Sequence, residues 1–266
     1  MEDVIKVRAD ITHRYGELLV HDGMKLSVKE NEFLCLCGPS GCGKTTLLDI
    51  FAGIVKPSDG HVLIDGEPAD PKRHNISFVF QEASTLPWLS VRDNISTGLR
   101  IKKLPRAEIR RKVDDIIGVV GLRGFENYYP HQISGGMKQR VSIARAFATD
   151  ADLVLMDEPF VSLDQPTREK MQREVLSIWE HRKRTIIFVT HNLEEAVFLG
   201  DRVIMLSKKP ARIVANLSVD LPRPRDPMSE AFVALRARCA ELLQEMHETD
   251  AREECKEQSE SVRASS

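Results

Sequence analysis

The chain has 266 residues, 42% of them hydrophobic and 29% charged, a globular balance that excludes wholesale disorder. Lys and Arg number 38 against 40 Asp and Glu, for a net charge of −2, so the bulk charge gives no support to nucleic-acid binding. The apolar runs, such as Leu153 to Met156 and Ile186 to Val189, fall far short of the roughly 18 residues that cross a bilayer.

Val4 to Val7, Leu18 to Val20 and Leu26 to Val28 read as short strands separated by Gly16, Gly23 and Asn31, which suits an antiparallel sheet. Phe33 to Cys37 is a continuous apolar run, the pattern of a strand buried on both faces. A Gly-rich loop follows, then an apolar run from Thr46 to Ala52 that predicts a helix. His61 to Ile64 and Ile76 to Phe80 predict two more strands. From about Arg92 to Ala148 the pattern turns helical. Arg106 to Val120 carries Ile109, Val113, Ile116 and Ile117 on one face, and Ser134 to Ala148 predicts a second helix. Strands return at Leu153 to Met156 and Thr185 to Val189, alternating with helices at Thr167 to Arg182 and Leu193 to Leu199. That alternation implies an α/β fold with a parallel sheet covered on both faces. Pro222 to Pro227 reads as a stiff linker, and Phe232, Leu235, Cys239, Leu242, Leu243 and Met246 mark one face of a following helix. The expected organisation is a catalytic unit over residues 1–220 with a helical insertion at about 90–148, then a linker and helix over 221–248. A charged tail at 249–266 is expected to be disordered.

The N-terminal stretch from Met1 to Lys6 lacks the layout of a signal peptide, so a cytosolic location is expected. The five cysteines, at 35, 37, 42, 239 and 255, are an odd number without zinc spacing. Free thiols, mostly buried, are expected, with neither a disulfide framework nor a metal site.

Three segments carry chemistry. Gly38-Pro39-Ser40-Gly41-Cys42-Gly43-Lys44-Thr45, followed by Thr46, fits G-x-x-x-x-G-K-[ST] between a predicted strand and a predicted helix. Glycines let successive N–H groups turn inward onto phosphate oxygens, and the helix N-terminus adds positive potential. Lys44 reaches for the β and γ phosphates, and the Thr45 hydroxyl suits Mg²⁺; the motif calls for a nucleoside triphosphate such as ATP with Mg²⁺. Second, Asp157-Glu158 ends the strand at Leu153 to Met156. Asp157 is suited to hold Mg²⁺ through water, and Glu158 to polarise an attacking water. Third, Ser134-Gly135-Gly136-Met137-Lys138-Gln139-Arg140 places a good N-cap and two glycines at a helix start, a second anion-binding helix end.

Together these segments resemble the ATPases of ABC transporters, over about Tyr15 to Val214. The stretch from Ser134 through Met137 and Gln139 is similar to the family signature. Gln81, after Phe78-Val79-Phe80, resembles the Q-loop glutamine. Ser162-Leu163-Asp164 resembles the D-loop, Thr190-His191 the switch histidine, and Tyr15 the aromatic that stacks on adenine. Asn192 follows the histidine where the family usually has Asp. The resemblance implies a P-loop NTPase fold with a RecA-like parallel core, an N-terminal antiparallel β subdomain and an inserted helical subdomain. It also implies a head-to-tail dimer, with each ATP between one unit's P-loop and the other's signature. In that scheme Glu158 is the general base, His191, Lys44 and Gln81 complete the catalytic set, and Gln81 joins Thr45 and Asp157 at Mg²⁺.

Leu86 to Ser90, Tyr129 to Gln132, Phe160 to Thr167 and Phe198 to Arg202 look like the nitrate/sulfonate/taurine branch of importers. This implies an integral membrane permease as a separate chain, an extracytoplasmic solute-binding protein reached through it, no nucleic acid, and a peripheral place on the cytoplasmic membrane face. Trp88 is read either as a permease contact or as helical core. The competing expectation is a soluble ABC-type ATPase not coupled to transport.

Overall fold

The computed structural model describes residues 4–245. Two sheets and a block of helices share the chain. The first sheet has the order β2-β1-β4-β5 and is antiparallel, built from β1 (Ile5–Tyr15), β2 (Leu18–Lys29), β4 (Asp59–Ile64) and β5 (Glu67–Pro68). The expected three short strands are thus two long ones. Gly16 lies in the turn between them, but Gly23, with φ 56°, stays inside β2. Gly60 lets β4 lie against β1, because a Cβ there would stand 2.0 Å from Asp10 O.

The second sheet has the order β10-β9-β3-β8-β7-β6. Its strands are β3 (Phe33–Cys37), β6 (Ile76–Val79), β7 (Leu153–Asp157), β8 (Thr185–Thr190), β9 (Arg202–Leu206) and β10 (Ile213–Ser218). All pairs are parallel except β9 with β10. Every residue of β3, β7 and β8 is buried, which is why their sequences are continuous apolar runs without alternation. The sheet is covered by α1 (Lys44–Phe51) on one side and by α5 (Gln165–Arg182) and α6 (Leu193–Leu199) on the other, which gives two apolar cores.

Between β6 and β7 the chain forms α2 (Val91–Ile101), α3 (Arg106–Val119), a 3-10 turn at Pro130–Gln132 and α4 (Gly135–Ala148). The helix α2 was not separately legible, because Asn, Ser, Thr, Gly and two Ile are poor helix formers. It forms nonetheless, with Ser90 as N-cap accepting from Asp93 N at 3.1 Å and a buried stripe of Val91, Ile95 and Leu99.

The Pro-rich segment after β10 is not a free spacer. Arg225 is buried and donates to the carbonyls of Val197, Phe198, Gly200, Val219 and Leu221, five main-chain acceptors that gather at the end of α6. A final helix, α7 (230–245), docks through Phe232 and Cys239, both fully buried. Met246 and the expected disordered tail lie outside the described residues. Among the described residues no helix is long and apolar enough to cross a membrane. Cys35, Cys37, Cys42 and Cys239 are free and buried, and no metal-ligand cluster is found among the described residues. Burial pushes the Cys37 thiol up to about 12, so it stays protonated.

Candidate functional site

Four segments meet at the carboxyl ends of adjacent parallel strands. The phosphate loop follows β3, His191 follows β8, Asp157-Glu158 ends β7 and Gln81 lies just beyond β6; these strands are neighbours in that order. The crevice outside the strand ends of an open α/β sheet is where such folds bind ligands.

In the phosphate loop, Gly41 and Gly43 have φ of 79° and 106°. The backbone can take that curl only without side chains. Gly43 is the N-cap of α1, so Lys44 and Thr45 lie in its first turn, where N–H groups have no helical partner. Lys44 is buried, and its Nζ donates to Gly38 O at 2.9 Å and Pro39 O at 3.0 Å and lies 3.7 Å from Glu158 Oε1. Cys42 is buried, whereas Ser40 and Thr45 are exposed. Thr45 Oγ1 donates to Asp157 Oδ2 at 2.6 Å. Burial raises the Asp157 carboxyl above its ordinary range, and the Thr45 hydrogen bond works against that. These paired oxygens are the hard donors that Mg²⁺ prefers, so the residues fit that ion.

Glu158 is held by His191, whose Nδ1 lies 2.7 Å from Oε2. An ionised carboxylate only accepts, so Nδ1 carries the proton and Nε2 faces away. The Glu158 backbone has φ 42°, a left-handed conformation that costs a non-glycine residue about 1 kcal/mol or more. Asn192 caps α6, its side chain accepting from Glu194 N and Glu195 N, so Asn serves here as Asp would. Behind it Glu195, buried and raised by desolvation, accepts from Thr190 Oγ1 at 2.7 Å. That support for the His191 loop was not visible in the sequence.

Ser134 caps α4 and accepts from Met137 N at 3.2 Å. Ser134 and Gly135 are exposed, and Gly136 and Met137 half-buried. Gly136 packs beside Leu163, whose Cδ2 a Cβ would meet at 3.2 Å. With Ser162 and Asp164 this helix start borders a hollow of about 240 Å³. Asp164 is exposed and caps α5 through Thr167 N. Gln139, expected to face a partner with the rest of the signature, does not. It is fully buried, and its Nε2 donates to Phe80 O at 3.1 Å, because its place in the second helical turn rotates it toward β6. Arg145, one and a half turns on, reaches Ser84 Oγ at 2.6 Å. The helix that starts at Ser134 is thereby tied to the segment containing Gln81, itself exposed.

Trp88 is 70% exposed and is not helical core. Asn94, fully buried, shapes the turn that presents it, accepting from Leu86 N at 2.7 Å and donating to the carbonyls of Leu86, Leu89 and Ser90. Nothing in the sequence singled out Asn94. Tyr15 ends β1 half-exposed, with its ring edge-on to His13 at 4.7 Å.

A glycine-rich loop between a buried strand and a helix, facing an acidic strand end across a parallel sheet, defines a P-loop nucleoside triphosphatase. The ABC transporter family profile matches residues 21–161, and the chain belongs to that family, as an ATP-binding, ATP-hydrolysing subunit. An uncharacterized ABC transporter ATP-binding protein of Methanocaldococcus jannaschii is 47% identical over 224 residues, covering 84% of each chain. An aliphatic sulfonates import ATP-binding protein of Bacillus cereus is 42% identical over 221 residues, 83% of this chain and 87% of the relative. Among solved structures, a dimeric ATP-binding cassette in a post-hydrolysis state with ADP and Pi is 31% identical, with a TM-score of 0.73 over 81% of this chain and all of the other.

Proposed function

We propose that the chain drives import of a small anionic solute of the aliphatic sulfonate kind, as the peripheral ATPase of a separate membrane permease. The observation that carries the reading is the Trp88 turn, an exposed aromatic held rigidly by Asn94 beside the segment that Gln139 and Arg145 join to α4. Exposed aromatics on fixed backbones are frequent anchors at protein interfaces. The similarity to sulfonate importers supports the solute class.

In this reading the chain works as a head-to-tail pair. The phosphate loop of one unit, with Tyr15 against the base, and the helix start from Ser134 to Met137 of its partner close on one ATP. Gly38 to Gly43 supply main-chain N–H groups, and Thr46 continues the α1 turn. Lys44 leaves the carbonyls of Gly38 and Pro39 for the β and γ phosphates. Thr45, Asp157 and Gln81 would hold Mg²⁺, which supplies charge neutralisation at the phosphates. Glu158 takes the proton of an in-line water, and its hydrogen bond to His191 Nδ1 fixes its direction. His191 Nε2 is then free to contact the γ-phosphate, and Asp164 lies at the pair's interface beside the signature. Closure by ATP and reopening after hydrolysis would move the Trp88 turn through its ties to α4. In this reading a catalytic unit over 1–220 carries a helical insertion at about 90–148, and the linker and α7 lie beyond it.

The reading is tested by purifying the tagged protein from its native membranes, with Trp88→Ala in parallel, and by following sulfonate uptake in cells that carry only Glu158→Gln. A permease retained by wild type and lost with Trp88→Ala, and abolished uptake, are expected. A protein that recovers no membrane partner, or uptake that persists, refutes the importer reading in favour of an ATPase uncoupled from transport.

A further inference from the structure

Two buried imidazoles stand behind the phosphate loop, and none of the motifs above includes them. His21, on β2, is fully buried, and its Nε2 lies 3.1 Å from Gly43 O. The same carbonyl accepts from Leu47 N at 2.9 Å, so β2 and the first turn of α1 share it. Contact is close here, since a Cβ on Gly43 would stand 2.6 Å from Val20 Cγ1 and 2.9 Å from His21 Nε2. A peptide unit is planar and, at this bond, trans. Fixing the Gly43 carbonyl therefore also fixes the direction of the Lys44 N–H on its opposite edge.

Burial lowers His21 to about 4, so the ring is neutral and its Nε2–H donates. Its Nδ1 is then a bare acceptor, and it has no partner. His13, on β1, is 4% exposed, and neither of its ring nitrogens has a partner. Its ring lies 6.4 Å from that of His21 and meets Tyr15 edge-on. Buried polar atoms without partners cost stability that a leucine would not. A packing role alone does not account for two such rings in line from Tyr15 to Gly43.

We propose that His21 and His13 are positioning residues of the nucleotide site, His21 holding the Gly43–Lys44 peptide of the phosphate loop and His13 setting the ring of Tyr15. The proposal rests on the reading that this loop and Tyr15 receive ATP.

The test compares wild type with His21→Leu, His21→Gln and His13→Leu. A fluorescent ADP analogue is displaced by ATP and by inorganic tripolyphosphate, and melting temperatures are measured alongside. His21→Leu is expected to weaken both competitors about 3–10-fold, the range a lost positioning hydrogen bond gives, with a melting temperature unchanged or higher. His21→Gln, which keeps an N–H donor, regains most of the affinity. His13→Leu weakens ATP by a similar factor and leaves tripolyphosphate unchanged, because only the base is affected. Unaltered affinity in His21→Leu overturns the assignment of His21, as does a parallel fall in affinity and melting temperature that glutamine does not rescue. Equal effects of His13→Leu on both competitors, or none, overturn that of His13. Failure of wild type to bind ATP overturns the nucleotide-site reading instead.

Discussion

Glu158→Gln removes a charge and keeps the shape. The carboxylate has two near partners, His191 Nδ1 at 2.7 Å and Lys44 Nζ at 3.7 Å. An amide cannot take the water's proton, and loss of a general base typically costs about 10²–10⁴ in rate, or about 2.7–5.4 kcal/mol. Binding should move the other way. At 3.7 Å the attraction between Lys44 and Glu158 is about 4 kcal/mol before hydration is counted, at an effective dielectric of about 20. Releasing Lys44 from it favours its transfer to the phosphates. The expected variant therefore hydrolyses ATP at 1% of the wild-type rate or less, and binds ATP at least as tightly. Phosphate release under saturating ATP, with equilibrium binding of the same preparation, reads both quantities. More than a tenth of wild-type turnover, or a loss of affinity matching the loss of rate, would refute the assignment of Glu158 as base.

Three other outcomes are expected. Lys44→Ala and Ser134→Arg should each be inactive as pure dimers, yet the mixed dimer should regain up to about half the activity through its one intact composite site, which is about a quarter for a randomly paired 1:1 mixture; cysteines placed at Ser40 and Ser134 should crosslink between chains only with ATP bound, and a bridge within one monomer would sink the paired site. Arg225→Ala leaves five main-chain acceptors without their donor and should cost about 3–5 kcal/mol in urea unfolding, against less than 1 if the arginine is incidental. His21 has a folded pKa of about 4, below its ordinary 6.5, so the unfolded chain binds more protons between those values and stability rises with pH across that window. Acidification from pH 7 to 4 should remove at most about 3 kcal/mol through this group, with His13 and Lys209 the charged or titratable neighbours; His21→Gln should lose less stability than wild type over the same range.

The central sheet and its loops were legible because each is coded locally. Runs such as Phe33 to Cys37, five residues long and bounded by turn signals, have the pattern of doubly buried strands, and the glycine spacing of the phosphate loop specifies its own curl. Gly23 misled, since glycine marks both strand ends and irregularities within a long strand, and β2 runs through it. Arg225 was unreadable as a core residue. The carbonyls that hold it come from α6 and the segment after β10, and nothing near Pro222 to Pro227 announces them. Gln139 was misplaced because a motif names residues without their rotation about the helix, and one face of α4 looks inward. His13 and His21 carry no spacing signal at all; their neighbourhood exists only once β1 and β2 pair.

The left-handed backbone at Glu158 joins strain and turnover at one position. Its φ of 42° would be relaxed by glycine, which gives up no contact of the apolar cores. A laboratory selection that rewarded heat resistance alone could gain the relaxed backbone of Glu158→Gly only by giving up the hydrogen bond to His191 and the ion pair to buried Lys44, so the carboxylate that turns over ATP also holds its own strain in place.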